Sequence, residues 1–399
     1  MTERRPHVLV LSRNYPNSIL SHQGPWVQRQ TLALARLGCP MTVLAPSPYW
    51  PPIPGPREIV RMRGIERYRR EEGVDVHHPR FLAGPGQSLY ALEAASTFAS
   101  LAPVATRLHR KRPFDLIHAH FSYPDGVAAV VLGKRLGLPV VVTEHVLWTP
   151  WMRSYPLVRR QAVWGVRHAA AFAPVSHAVR RSMNGFVDTL RTPTHVIPVG
   201  VDGDVFRLKP PRGPGDRERL LFVGWINYIK GMDILIDSLS ALVRRRPCLE
   251  LTIVGGALFR HKQRQQEELL RKVEAAGLTA HVTFTGPQDA VGVARYMRES
   301  DVLVLPSRRE SCGSVLLEAL ASGTPVVATR CGGPEELVTD DVGVLVPVED
   351  SAALATGIEH VLDRRDSYDP VALRQYALSN FSWDRLGERY LAVYDSVRV

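Results

Sequence analysis

Short apolar runs of strand length alternate with longer amphipathic stretches along this chain. Val8-Leu9-Val10-Leu11, Thr42-Val43-Leu44, Leu116-Ile117-His118 and Val140-Val141-Val142 are too short for helices and rich in β-formers. Between them lie helical patterns such as residues 26–38, where Val27, Leu32, Leu34 and Leu37 recur and Gly38 closes the segment. The alternation repeats in the second half with Leu220-Leu221-Phe222-Val223, Leu251-Thr252-Ile253-Val254, Val282-Thr283-Phe284 and Val302-Leu303-Val304-Leu305. Strand then helix, repeated, predicts an α/β protein with parallel sheets and right-handed crossovers.

The halves are separated by Lys209-Pro210-Pro211-Arg212-Gly213-Pro214-Gly215-Asp216, a polar Pro/Gly segment with linker character. Residues 1–205 and 206–380 therefore read as two Rossmann-like domains facing an interdomain cleft. A chain of 399 residues is long enough for two or three separate cores. Hydrophobic residues at 45% and charged ones at 22% fit a soluble globular protein. No apolar run reaches membrane-spanning length, and His7-Val8-Leu9-Val10-Leu11 is too short for a signal-peptide core. Cys39, Cys248, Cys312 and Cys331 form no metal or redox spacing, which points to a reduced cytoplasmic setting.

Charge is uneven. Residues 1–205 hold 25 basic and 13 acidic side chains, whereas residues 206–399 hold 25 and 26. The excess of +12 in the first half suits nucleic acid, an anionic membrane surface or an anionic substrate. No nucleic-acid-binding module or aromatic-basic RNP pattern is present, which sets nucleic acid aside. No complete Gly-x-Gly-x-x-Gly fingerprint occurs either, so NAD chemistry is disfavoured.

The richest chemistry follows the run ending at Leu305. Pro306-Ser307-Arg308-Arg309-Glu310-Ser311-Cys312-Gly313-Ser314 is a small-residue turn, and Val315-Leu316 and Ala319-Leu320 begin a helical pattern. Glu310 falls on the loop and Glu318 about one turn into the helix. Backbone N–H groups near Gly313 and Ser314, at a helix N-terminus, suit a phosphate or sugar oxygen. Carboxylates accept from hydroxyls, so the pair beside an anion site fits a ligand with both phosphate and polyol parts, a nucleotide-sugar.

Here the chain resembles the retaining GT-B glycosyltransferases of family 4 (glycosyl transferases group 1). That family's two glutamates with seven residues between them match Glu310 and Glu318, and its downstream pattern matches Glu318-Ala319-Leu320-Ala321-Ser322-Gly323-Thr324-Pro325. The resemblance implies a nucleoside-diphosphate sugar, UDP- or GDP-linked, as donor, with no cofactor and no metal. It implies Glu318 on the ribose, Glu310 on sugar hydroxyls and Lys230 on the diphosphate, with Gly313, Ser314 and Val315 beside the sugar-phosphate. It further implies that the Gly24 loop approaches the donor phosphate and that His120 lies near the chemistry. His145 and His118 become acceptor-side candidates, His118 equally a residue satisfying its strand end. The last helix, about 381–399, is expected to cross back to the first domain. Catalysis would then proceed by leaving-group stabilisation and positioning.

The chain departs from the family at three positions. Trp225 stands where an arginine is usual, Cys312 where an aromatic is frequent, and Val199 where asparagine is frequent. Tryptophan cannot hold a phosphate with two hydrogen bonds, so Arg308, Arg309 and Arg260 become candidate substitutes. His118, His120 and His145 could chelate zinc by geometry, but no acid or cysteine is spaced to complete a site. Asp202-Gly203-Asp204 reads as a turn.

The acceptor is left between two settings. Arg153, Arg159, Arg160 and Arg167 accompany Trp148, Trp151 and Trp164, and Arg57, Arg61, Arg63, Arg67, Arg69 and Arg70 add positive charge. That pattern fits peripheral contact with an anionic membrane at its inner face and a lipid-linked or glycan acceptor. It fits equally a small soluble acceptor such as a cyclitol or a natural-product aglycone, with the arginines merely solvated. Two rivals to transfer are a GT-B epimerase or phosphorylase, and a non-catalytic nucleotide-sugar-binding subunit.

Overall fold

The computed structural model describes residues 4–20, 23–49, 60–83, 89–149, 154–186, 190–208, 217–256 and 263–398. The linker 209–216 and Arg57, Trp151, Arg153 and Arg260 lie outside the described residues. Two compact units are formed, Met1–Pro198 with Trp383–Val399, and Val199–Ser382. The division therefore falls before Val199 rather than after Val205. The reason is local: Val201 N donates to Phe381 O at 2.8 Å, and Arg374 donates to Gly203 O at 2.8 Å. These bonds tie the segment after Pro198 to the second unit.

The first unit contains β1 (Val8–Leu11), β2 (Met41–Leu44), β3 (Ser47–Tyr49), β4 (Tyr68–Glu71), β5 (Val74–His77), β6 (Arg80–Leu82), β7 (Leu116–His120), β8 (Val140–Glu144) and β9 (Ala171–Pro174). The main sheet runs β4-β5-β2-β1-β7-β8-β9, with β3 and β6 paired separately. Strands β1, β2, β7, β8 and β9 are buried throughout, which is why they read as unbroken apolar runs. The sheet is not wholly parallel, as the alternation predicted, because β4 pairs antiparallel with β5 at the edge. Glu72 and Gly73 turn that hairpin with φ of 44° and 86°, the mirror-image turn that two-residue hairpins favour.

The second unit holds β10 (Glu218–Val223), β11 (Leu249–Val254), β12 (Val282–Gly286), β13 (Val302–Leu305), β14 (Val326–Thr329) and β15 (Gly343–Val346). They run in the order β12-β11-β10-β13-β14-β15, every pairing parallel. β10 and β13 are adjacent, so the loops after Val223 and Leu305 leave the sheet side by side. Such carboxyl ends of open parallel sheets are where ligands bind.

The helix Trp383–Val397 belongs to the first unit, matching the expected return of the chain end. Leu386, Tyr390 and Tyr394 recur every four residues and are buried with Val8, Val10, Leu34 and Val43 in one core cluster. Gly387 lets this helix approach the helix Pro25–Arg36, since a Cβ there would sit 2.7 Å from Leu37 Cδ1. Leu386→Ala is expected to cost about 2–5 kcal/mol of stability in urea unfolding. The exposed Glu388→Ala should stay within about 0.5 kcal/mol. Equal effects of the two would contradict the packing described.

Candidate active site

The second unit assembles its charged residues on the adjacent loops of β10 and β13. After β10, Asn227 starts a short 3-10 turn, Tyr228–Lys230, by accepting from Lys230 N at 3.2 Å. Gly231 then takes a left-handed φ of 64°, and a Cβ there would sit 2.0 Å from Pro306 O. Only glycine permits that approach, which brings Lys230 beside the loop after β13. Lys230 Nζ is ion-paired with Glu310 Oε1, and Ser307 Oγ donates to the same oxygen at 2.8 Å. Glu310 Oε2 takes no hydrogen bond from the described residues.

The backbone of Glu310 is held from the far side by the loop after β14. Glu310 N donates to Cys331 O at 3.3 Å and Gly333 N to Glu310 O at 3.0 Å. Gly333 has no room for a side chain, as its Cβ would lie 2.5 Å from Cys312 Cα. Gly313, with φ 83°, then precedes the helix Ser314–Ala321, on which Val315 and Glu318 are half-buried. Cys312 is buried beneath this turn, and burial raises its thiol to about 12. Its place is in the packing beneath the turn.

Arg308 is not the replacement for the arginine missing at Trp225. Its guanidinium makes a bidentate contact with Asp233 at 2.9 and 2.7 Å, reaches Glu349 at 2.9 Å and lies 3.9 Å from the Tyr228 ring centroid. These bonds, that to Asp233 first, raise its pKa and hold it as a clamp across the Lys230 turn. Arg308 N also donates to Ile229 O at 2.7 Å. Of the other candidates, Arg309 is exposed beside Glu310 in sequence. Asp202-Gly203-Asp204 is the turn expected, with Asp202 Oδ1 accepting from Asp204 N at 3.0 Å.

The first unit has its own constellation at the ends of β7 and β8. His118, His120 and His145 form a stack, with centroids 4.5 Å apart between the first two and 5.2 Å between His120 and His145. His120 Nδ1 and His145 Nε2 share a hydrogen bond of 2.9 Å. His118 is spoken for, since Nδ1 meets Tyr394 Oη at 2.6 Å and Nε2 meets Thr143 Oγ1 at 2.8 Å. Of its two readings the structure favours the strand-end anchor, here binding the C-terminal helix. Burial pushes His118 and His145 down to about 3, and lowers His120 well below its ordinary value. Among the described residues no group of three or more His, Cys, Asp or Glu is arranged to hold a metal. Gly24, with φ 66°, opens the helix Pro25–Arg36, and a Cβ on it would strike Asn14 O at 2.0 Å. Trp26 in that helix lies 6.1 Å from the His145 ring, which puts the glycine loop next to the histidines.

Sequence reasoning missed the acids around this stack. Glu144 is buried and accepts from Ser122 N, His145 N, Val146 N and Trp148 Nε1 at 2.9–3.2 Å. Asp125 accepts from Arg13 N at 2.7 Å, and Arg13 also pairs with Glu93 at 2.6 Å. Burial raises Asp125 to about 6 despite Arg13. Glu144 next to His145 was the one visible signal; Arg13, Glu93 and Asp125 are too far apart in sequence to be linked. Of the aromatic residues expected at a membrane face, one is placed in the core. Trp148 is a core residue held by Glu144, and Trp164 is half-buried with Lys134 Nζ 4.9 Å above its ring.

Two Rossmann-like units with polar constellations at their strand ends are the layout of the GT-B glycosyltransferases. Residues 23–200 match the glycosyl transferase 4-like domain, and residues 207–377 match glycosyl transferases group 1. A D-inositol 3-phosphate glycosyltransferase of Arthrobacter sp. (strain FB24) is 32% identical over 81% of this chain and 80% of its own. A phosphatidyl-myo-inositol mannosyltransferase of Mycobacterium leprae is 32% identical over 85% and 90%. In fold, the chain is similar to the sucrose-phosphate synthase of Thermosynechococcus elongatus, with a TM-score of 0.78, 20% identity and 99% of each chain covered. It is also similar to Anabaena HepE in complex with UDP and glucose, with a TM-score of 0.74, 21% identity, and 98% and 100% covered. The chain thus belongs to the family 4, group 1 glycosyltransferases, and it is a glycosyltransferase.

The histidine stack makes the fold acid-sensitive. Imidazoles neutral in the fold but protonated when unfolded contribute stability that is full above about 6.5 and lost as pH falls. Each such histidine costs up to about 1.4 kcal/mol per pH unit below that point. Asp125 acts in the opposite sense between 3.8 and about 6, offsetting one of them. Urea midpoints should therefore fall from pH 7.5 to pH 5, with a shallower slope in His118→Gln. A flat wild-type profile would count against neutral burial.

Proposed function

We propose that this protein transfers a glycosyl group from a nucleoside-diphosphate sugar to a hydroxyl of a small phosphorylated cyclitol, with retention at the anomeric carbon. The observation that carries the donor half is the Lys230–Glu310 pair between the β10 and β13 loops. A diphosphate gains charge as the sugar leaves, and a preorganised ammonium stabilises that charge. Lys230 meets it from a turn fixed by Gly231 and Arg308. Glu310, with Oε2 uncommitted, accepts from sugar hydroxyls, and Glu318 takes the ribose hydroxyls. The N–H groups at Gly313, Ser314 and Val315 lie toward the sugar-phosphate, and the Gly24 loop approaches the phosphates. His120 acts beside the reacting sugar. Cations and backbone donors replace a metal ion in this mechanism, and no cofactor takes part.

The acceptor reading rests on the inositol phosphate named for relatives about one-third identical, and on the basic excess of residues 1–205. The mycobacterial relative is named for phosphatidyl-myo-inositol, a lipid acceptor, instead. The soluble acceptor is preferred because Trp148 is buried and bonded to Glu144, which removes one anchor from a membrane face.

Thermal shift with UDP-, GDP- and ADP-sugars should single out one donor, because a true donor stabilises the fold by mass action. Transfer to an inositol phosphate should then be seen with the α-linkage of an α-linked donor preserved. Inverted product would reject retention, and transfer only to phosphatidylinositol vesicles would reject the soluble acceptor.

Glu318→Ala should weaken binding of the free nucleoside diphosphate by about 1.5–3 kcal/mol in calorimetry. Glu310→Gln should instead lower turnover and leave that affinity nearly intact. Lys230→Ala should lower kcat by about 10²–10³. Addition of EDTA should leave wild-type activity unchanged; inhibition reversed by a divalent ion would overturn the metal-free mechanism.

A further inference from the structure

The His120–His145 hydrogen bond has two readings that differ in where the proton sits. In one, His145 donates from Nε2 and His120 carries its own proton on Nε2. In the other, His120 donates from Nδ1, and its Nε2 is a bare acceptor fit to take a proton. The remaining nitrogen of His145 separates them. Nδ1 of His145 is buried and has no hydrogen-bond partner among the described residues. In the second reading that atom carries a proton, leaving a buried N–H with no acceptor. Orphaned buried N–H groups are rarer than under-satisfied acceptors. The neighbouring Trp26 ring, 6.1 Å away, makes this worse, because its buried Nε1–H also lacks a partner among the described residues and can only donate.

The ring of His145 is held where it stands. Phe121 lies 5.0 Å from it and His120 5.2 Å, between centroids. Its backbone N–H is fixed by Glu144 Oε1 at 2.9 Å. His118 stacks on the other side of His120, with both its nitrogens engaged by Tyr394 and Thr143. Three imidazoles so close favour neutral rings, since a charge on one would face the others in a buried site.

We propose that His145 is a positioning residue that locks His120 in its Nε2–H tautomer, so that His120 meets its substrate as a hydrogen-bond donor rather than as a base. This rests on the glycosyl-transfer reading for its consequence, but the tautomer is a property of the resting protein. A donor at Nε2 suits an electron-rich oxygen of sugar or phosphate. The acceptor hydroxyl must then lose its proton elsewhere, and the departing diphosphate oxygen is the base that the transfer itself supplies. The balance closes: the acceptor C–O bond forms, the sugar–phosphate bond breaks, and the proton passes to the leaving phosphate.

The test is two-bond 1H–15N correlation on the full-length protein labelled with 15N-histidine, with His120 assigned by its loss in His120→Asn. The Nε2–H pattern is expected for His120, and an Nδ1–H pattern would overturn the lock whether or not transfer is observed. His145→Gln keeps an N–H at the same reach and should preserve the His120 pattern and most of kcat. His145→Leu removes it and should lower kcat by about 10–100-fold, by analogy with partners that orient metal-bound histidines. The donor KM should change little. If His145→Gln and His145→Leu lose kcat alike while both remain folded, the positioning role is wrong. If no donor is turned over but the Nε2–H pattern is found, the lock stands and the transfer reading fails.

Discussion

An ammonium and a carboxylate held together at the ends of two adjacent parallel strands set the terms for the second unit. Lys230 and Glu310 are 80 residues apart, and each stands on a loop that would drift without support. Gly231 and Gly333 allow backbones to touch where a Cβ would not fit, and Arg308 crosses the Lys230 turn to Asp233 and Glu349. The clamp is made of strong bonds so that the functional pair need not hold itself. A pair of opposite charges that is only partly buried exchanges partners readily, whereas a buried one resists it. Lys230 and Glu310 are of the first kind, and a charged substrate can therefore compete for both.

The first unit works in the opposite electrostatic regime. His118, His120 and His145 are buried and uncharged, and the neighbouring acids are already committed to backbone N–H groups or to Arg13. Orientation there comes from stacked rings and shared hydrogen bonds. One unit presents mobile charge, and the other presents fixed dipoles.

Much of this was legible in the chain itself. Strands buried on both faces leave unbroken apolar runs, and the glutamate pair with its glycine and helix marked the donor loop. Other features were hidden for physical reasons. The β4–β5 hairpin sits at an edge, where Arg69 and Arg70 serve strand pairing and ion pairs with Glu66, Glu71 and Asp75, so its charges resembled a solvated run. Arg308 looked like a free cation because Asp233 and Glu349 lie far off in sequence. Trp148 looked like an anchor because nothing local showed that Glu144 would take its indole N–H. Pro and Gly suggested a boundary after Val205, but hydrogen bonds to Phe381 O and from Arg374 join the segment to the second unit.

The placement of the helix Trp383–Val397 has a consequence for the order of events on the ribosome. Residues 1–198 are made well before part of their own core, which includes Leu386, Tyr390 and Tyr394. Val199–Ser382 is contiguous, so its core needs nothing made after Ser382. At about 5–20 residues per second the earlier segment waits roughly 10–40 s for this helix. During that interval Val8, Val10 and Leu34 lack the cover that this helix gives them, so apolar strands made early stand exposed until a helix made after the whole second unit reaches them.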